Sequence, residues 1–155
     1  MAISTNDAVD TYGTQDTITT GTPGAITTGS FSAAADCADW VNDDDATEGA
    51  FVLKCQWGTV TSIGDKPINL FARLNDIDST NDPKDPGTTN HSIYLGSFNA
   101  PGSASASTDV YIPGRFPLPN FYTSQSYRFF LENLTGQTIS SGWSLKVTPI
   151  AQGPK

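Results

Sequence analysis

Four aspartates, Asp76, Asp78, Asp82 and Asp85, crowd into the stretch "DIDSTNDPKD" directly after an apolar run. Clustered carboxylates can chelate calcium, but a helix–loop–helix calcium loop needs glycine at its sixth position and a carboxylate at its twelfth. Counted from Asp76, those positions hold Asn81 and Gly87, and the motif fails. A looser cation site at Asp76, Asp78 and Asp82 stays open. The expectation is a metal-free connection, because Asp and Asn side chains bond their own backbone and Pro83 and Pro86 stop strand pairing. A second acidic group, "NDDDAT" at 42–47, has three adjacent carboxylates that point different ways, and it is expected to form a turn leading into a strand.

Other chemistries find little support. Paired-carboxylate hydrolysis needs two acids in one cleft. The only glutamates are Glu48 and Glu132, and nothing in the sequence brings them together. The one histidine, His91, has no nucleophile motif to serve. Phosphate-loop and dinucleotide motifs are absent. The two cysteines, Cys37 and Cys55, fit neither a zinc pattern nor a disulfide framework and are expected to be reduced, with Cys55 in the core. Aromatic faces can stack on sugars. Trp57 and Trp143 fall on inward faces, so Trp40, Phe121 and Tyr122, in loop-like stretches, are the candidates for sugar stacking or for anchoring an interface. No catalytic, cofactor-binding or metal-ligating residue is assigned, and no cofactor is expected.

The elements that would position these groups are legible from residue 50 onward. In "FVLKCQWG", Phe51, Leu53, Cys55 and Trp57 share one face, while Lys54 and Gln56 share the other. Such period-2 alternation marks a half-buried strand. "INLFARLN", "SIYLGSF", "TDVYIP", "SYRFFLENL" and "GWSLKVTPI" give five more strands, separated by Gly- and Pro-rich turns. The predicted core is Phe51, Leu53, Trp57, Leu70, Leu74, Phe129, Leu131, Trp143, Leu145 and Val147. "AAADCADW" is the best helical candidate and is short. The fold class is all-β, an antiparallel two-sheet sandwich of the jelly-roll kind, over residues 40–155. Residues 1–39 are rich in Thr, Gly, Ala and Ser and read as an extended N-terminal arm, whose short alternating pieces could add as edge strands.

Composition agrees. Charged residues make up 15% of the 155, well below the usual quarter or so. Residues 1–49 hold nine acids and neither Lys nor Arg, within a net charge of −8. That acidity repels nucleic acid and anionic membrane, and neither is an expected partner. The N-terminus lacks a basic segment followed by an apolar one, so no secretory signal is read there, and the chain is expected to be made in the cytoplasm. The sequons at Asn90 and Asn133 then carry little weight.

From about residue 40 to 154, the stretches "DDDATEGAFVLKCQWG", "LFARLNDIDSTNDPKDP", "HSIYLGSFN" and "FPLPNFYTSQSYRFFLENLTGQTISSGWSLKVTPIAQGP" resemble a family of small virion proteins of tailed bacteriophages. "DIDSTND", "YLGSF" and "GQTISSGWSLKVTP" are the most specific pieces. The resemblance implies a capsid decoration, or cement, protein: a jelly-roll homotrimer seated on the head shell, with the major capsid protein as partner and the capsid surface of the virion as its location. It also implies a structural, non-enzymatic role. The alternative is a carbohydrate-binding β-sandwich module on a phage tail or fibre.

Overall fold

A computed structural model describes residues 8–58, 61–63, 66–75, 84–87, 92–119 and 125–154. Twelve strands are present among them: β1 (Ala8–Tyr12), β2 (Asp16–Thr17), β3 (Ser30–Phe31), β4 (Asp39–Asn42), β5 (Glu48–Cys55), β6 (Thr61–Ser62), β7 (Pro67–Leu74), β8 (Ile93–Asn99), β9 (Ser103–Ala104), β10 (Val110–Pro117), β11 (Gln125–Asn133) and β12 (Ser144–Pro154). A single 3-10 turn, Ala34–Asp36, falls within the expected helical stretch.

The first sheet runs β1-β12-β5-β10, with β2 also on β12. The second runs β3-β11-β7-β8, with β4 also on β11. Every pairing is antiparallel, and the pairs are nested along the chain: β1 and β2 with β12, β3 and β4 with β11, β5 with β10, β6 with β9, and β7 with β8. One long hairpin, rolled so that β12 meets β5 and β11 meets β7, produces this order. It is the jelly roll that the strand pattern predicted.

Alternation does the sorting. β5 reads half-buried, buried along its whole length, with Phe51, Leu53 and Cys55 inward. All ten predicted core residues lie inside or against the core; Leu74, near the end of β7, is only partly buried. Phe116 of β10 fits because Gly96 of β8, in the opposite sheet, and Gly114 of β10 both lack a Cβ that would strike its ring.

Residues 8–39 depart from the expected arm. They lie on this chain's own sandwich: β1 extends the first sheet along β12 from Ala8↔Pro154 to Tyr12↔Ile150, and Ile18, Ile26 and Cys37 are at most 2% exposed. Ile26 exchanges two backbone hydrogen bonds with Ile139. The fully buried Asn133 amide donates to the Ile26 carbonyl at 2.8 Å and to the Gln137 carbonyl at 2.7 Å. Its oxygen accepts from the Thr135 amide at 3.0 Å and the Thr135 hydroxyl at 2.7 Å. This sequon asparagine is thus a structural tie, buried and fully hydrogen-bonded in the folded chain. The boundary expected at residue 39 gives way because the N-terminal pieces complete both sheets. A few isolated isoleucines suffice when a neighbouring strand already offers a groove.

Candidate interaction face

The outer face of the second sheet carries an unusual feature. On β11, alternation turns Tyr127, Phe129 and Leu131 inward and Arg128, Phe130 and Glu132 outward. Yet Phe130 is 1% exposed, and it stands apart from the core cluster. Its flanking strands supply the reason. Phe31 on β3 and Phe71 on β7 sit on opposite sides of β11. Strands two apart are separated by roughly 10 Å, but these two rings meet edge-on with centroids 5.5 Å apart. They therefore close over β11, and Phe130, paired with Phe71, is the residue beneath. Tyr94 on β8 continues the row, 5.5 Å from Phe71 and 55% exposed. Val41 on β4 adds a further exposed apolar side chain to this face.

Polar networks border the aromatic row. On one side the Tyr94 hydroxyl meets Ser97 Oγ at 2.6 Å, Ser97 donates to Asn69 Oδ1 at 2.7 Å, and Asn69 Nδ2 donates to Glu132 at 2.7 Å. On the other, Arg73 donates to Asp85 at 2.7 Å and to Asn75 at 3.0 Å, while Asn75 donates to the Ser126 hydroxyl at 2.9 Å. Arg128 donates to Asp39 at 2.6 Å. Partial burial works against the charged form of Asp39, but hydrogen bonds from Arg128 and Asn75 and the charges of both arginines hold its carboxyl below the usual value. An apolar centre inside a hydrogen-bonded rim is the build of a protein interface.

The first sheet's outer face differs. Gln15, Val52, Lys54, Tyr111, Ser144 and Lys146 line a shallow depression of about 300 Å³. Lys54 pairs with Asp109 at 3.1 Å, and Gln56 donates to the same carboxylate at 2.6 Å. Farther along, Arg115 clamps Asp10 and Glu48. Among the described residues, this polar surface carries no pair of touching aromatic rings.

Among the described residues, those singled out in sequence are not gathered into one site. Asp76, Asp78, Asp82, His91, Phe121 and Tyr122 lie outside the described residues. Asp43–Asp45 form the expected turn, closed by Asn42, which donates to the Ala46 carbonyl at 2.8 Å and accepts from the Ala46 amide at 2.9 Å; Asp45 takes a positive φ of 48°. Glu48 points out from one sheet and Glu132 from the other, so the whole core separates them. Cys37 and Cys55 are both buried and unpaired, and burial pushes each thiol up to about 12. Trp40 is no loop platform: it sits in β4, 7% exposed, stacked on Tyr127 at 6.0 Å with its indole donating to Asp16 at 2.9 Å. Among the described residues, no group of three or more His, Cys, Asp or Glu side chains could hold a metal ion. No helix of the described residues is long and apolar enough to cross a membrane. The Phe31–Phe71–Phe130 cluster escaped the sequence reading, whose only cue was an aromatic residue at outward positions of β7 and β11.

No protein-family model matches the chain, and no curated protein matches it. Among solved structures, 94% of this chain aligns with a chain in the structure of infectious bursal disease virus Gx strain, at 14% identity and a TM-score of 0.30. The aligned region spans 30% of that viral chain. An overlap this weak bears on neither fold nor function.

Proposed function

We propose that the protein is a non-enzymatic structural subunit of a phage virion, a capsid decoration protein that binds the major capsid protein on the head shell and works as a homotrimer. The observation that carries this reading is the aromatic-centred, polar-rimmed face of the second sheet. A protein whose work is adhesion needs such a face and needs no reactive group. The sequence resemblance to small tailed-phage virion proteins points the same way. The chemistry of the described side chains is in keeping: the thiols are too buried to act as nucleophiles, and the two glutamates stand on opposite faces.

The carbohydrate-binding alternative wants exposed rings lying in one plane, so that a sugar can stack across them. Here Phe31 and Phe71 meet at 64°, and Phe71 and Tyr94 at 59°. That tilt suits interlocking with protein side chains better than a flat sugar. Residues 8–39 are engaged within the chain itself, so this reading gives the shell contact to the sandwich surfaces rather than to the N-terminal stretch. Cement proteins act by linkage, since whatever binds the assembled shell stabilises it. Purified protein added to capsids lacking it should co-sediment with them and raise their disruption temperature. Failure to bind such capsids would refute the decoration role.

A further inference from the structure

We infer that the depression on the outer face of the first sheet is a binding site for a carboxylated sugar, with Lys146 receiving the carboxylate. Such binding is a second activity, independent of the decoration role.

Strand register assembles the site. Tyr111 of β10 and Ser144 of β12 stand on either side of Lys54 of β5. Two residues along, Lys146 of β12 stands beside Val52 of β5. Gln15, just ahead of β2 on the other side of β12, completes the lining, its amide 3.5 Å from the Thr148 hydroxyl. The space holds about 300 Å³. Small-molecule sites run from roughly 300 to 1,000 Å³, so this one suits a single sugar ring.

Charge selects an anion. The lining contains two lysines and no carboxylate. Lys54 is answered by Asp109, but Lys146 has no ion-pair partner among the described residues. The nearby acids are engaged: Asp109 by Lys54 and Gln56, and Asp16 by the Trp40 indole at 2.9 Å. Glu48 is six residues from Lys54 along β5, and Asp10 sits opposite Gln152, six residues from Lys146 along β12. Both are thus roughly 20 Å away, and both are clamped by Arg115. Charges that far off are screened at physiological salt, where the Debye length is about 8 Å. Within a chain of net charge −8, the depression therefore keeps one uncompensated positive charge.

The remaining groups select the body that carries the anion. A bare carboxylate would occupy Lys146 alone. Ser144 and Tyr111 have no hydrogen-bond partner among the described residues. Their hydroxyls and the Gln15 amide can each donate and accept, as sugar hydroxyls do. Val52 and the ring of Tyr111 offer apolar surface to the C–H face of a sugar. One ring is enough where a charge-assisted hydrogen bond, about twice as strong as a neutral one, holds the ligand at its other end.

The test titrates the full chain with glucuronate, galacturonate and N-acetylneuraminate, followed by amide chemical shifts. Glucose probes the sugar body alone, and acetate the carboxylate alone. At least one sugar acid should bind with a Kd of about 1–10 mM, roughly tenfold more tightly than glucose or acetate, and shift amides of β5, β10 and β12. Lys146→Met and Tyr111→Ala should each weaken that binding by about tenfold, and raised salt should weaken it too. Tyr94→Ala, on the other sheet, should leave it unchanged. Tyr111 and Tyr94 are exposed and Lys146 is half-buried on the surface, so the variants should fold, and thermal melts check that they do. Four results each overturn the inference: no sugar acid saturates; acetate binds as tightly as the best of them, which removes the sugar; glucose does so, which removes the charge; or Lys146→Met binds as the wild type does, which puts the ligand elsewhere.

Discussion

Truncating Ile26 to alanine tests whether the N-terminal stretch belongs to the folded unit. The Ile26 side chain is 1% exposed. Its amide and carbonyl are bonded to Ile139, and its carbonyl also accepts from Asn133; alanine keeps all of these bonds. The variant therefore isolates the side chain. Truncating a buried isoleucine to alanine costs about 2–5 kcal/mol, through lost transfer energy and the cavity left behind. With a urea dependence of about 1–3 kcal/mol per molar, the unfolding midpoint should fall by roughly 1 M or more. Tryptophan fluorescence is a suitable probe, because the Trp143 indole donates to the Gly24 carbonyl at 2.8 Å, two residues from the mutation. Were residues 8–39 an arm lying free of the sandwich, the same substitution would change stability by no more than about 0.5 kcal/mol, as surface substitutions do. A midpoint shift that small would refute the placement of this segment in the core. Deleting residues 2–30 goes further, removing β1, β2, Ile18 and Ile26. Losing the two isoleucines alone costs roughly 4–10 kcal/mol if their effects add. Against the ordinary total of about 5–15 kcal/mol, the deletion variant should be largely unfolded.

Gly96→Ala should destabilise by about 1–3 kcal/mol in a thermal or urea melt, because the new methyl overpacks against the Phe116 ring; an unchanged melting temperature would show that the ring can move aside. Cys37 and Cys55, with thiols pushed up to about 12, should resist a thiol reagent at pH 8 in the native protein and react only on unfolding; fast native labelling would contradict their burial. The Asp39 carboxyl is held below its ordinary 3.8, so its pairing with Arg128 stabilises above that value and is lost as pH falls through the lower folded value. Arg128→Met should shrink this acid-dependent part of the stability, and identical acid unfolding curves would count against the pairing. Calcium titration should reveal no binding tighter than millimolar at the "DIDSTND" stretch; a micromolar site lost on Asp78→Asn would reverse that expectation.

The period-2 pattern by itself determined the six long strands and which side chains of each face the core. Alternation is local: once the backbone is extended, successive side chains must point to opposite sides. The pattern located Phe51, Leu53, Leu70, Phe129 and Leu145, and the turn character of "NDDDAT", without knowledge of any partner strand. Three matters were decided only by tertiary structure. The nested order of strand pairs came from contacts far apart in sequence, such as β1 with β12. The enlistment of residues 8–39 came from the same source: Ile18 and Ile26 stand alone among threonines and glycines, with no periodicity to announce them, and become core residues because β12 and Ile139 provide their pairing partners. The candidate face depended on tertiary structure most of all. Phe130 reads as an outward residue and does point outward. It is buried because Phe31 and Phe71, brought to either side of β11 by the rolled hairpin, lean across that strand and meet above it. No local pattern encodes a contact between Phe31 and Phe71, which lie on strands either side of β11, so the aromatic face was invisible until the sheet was assembled.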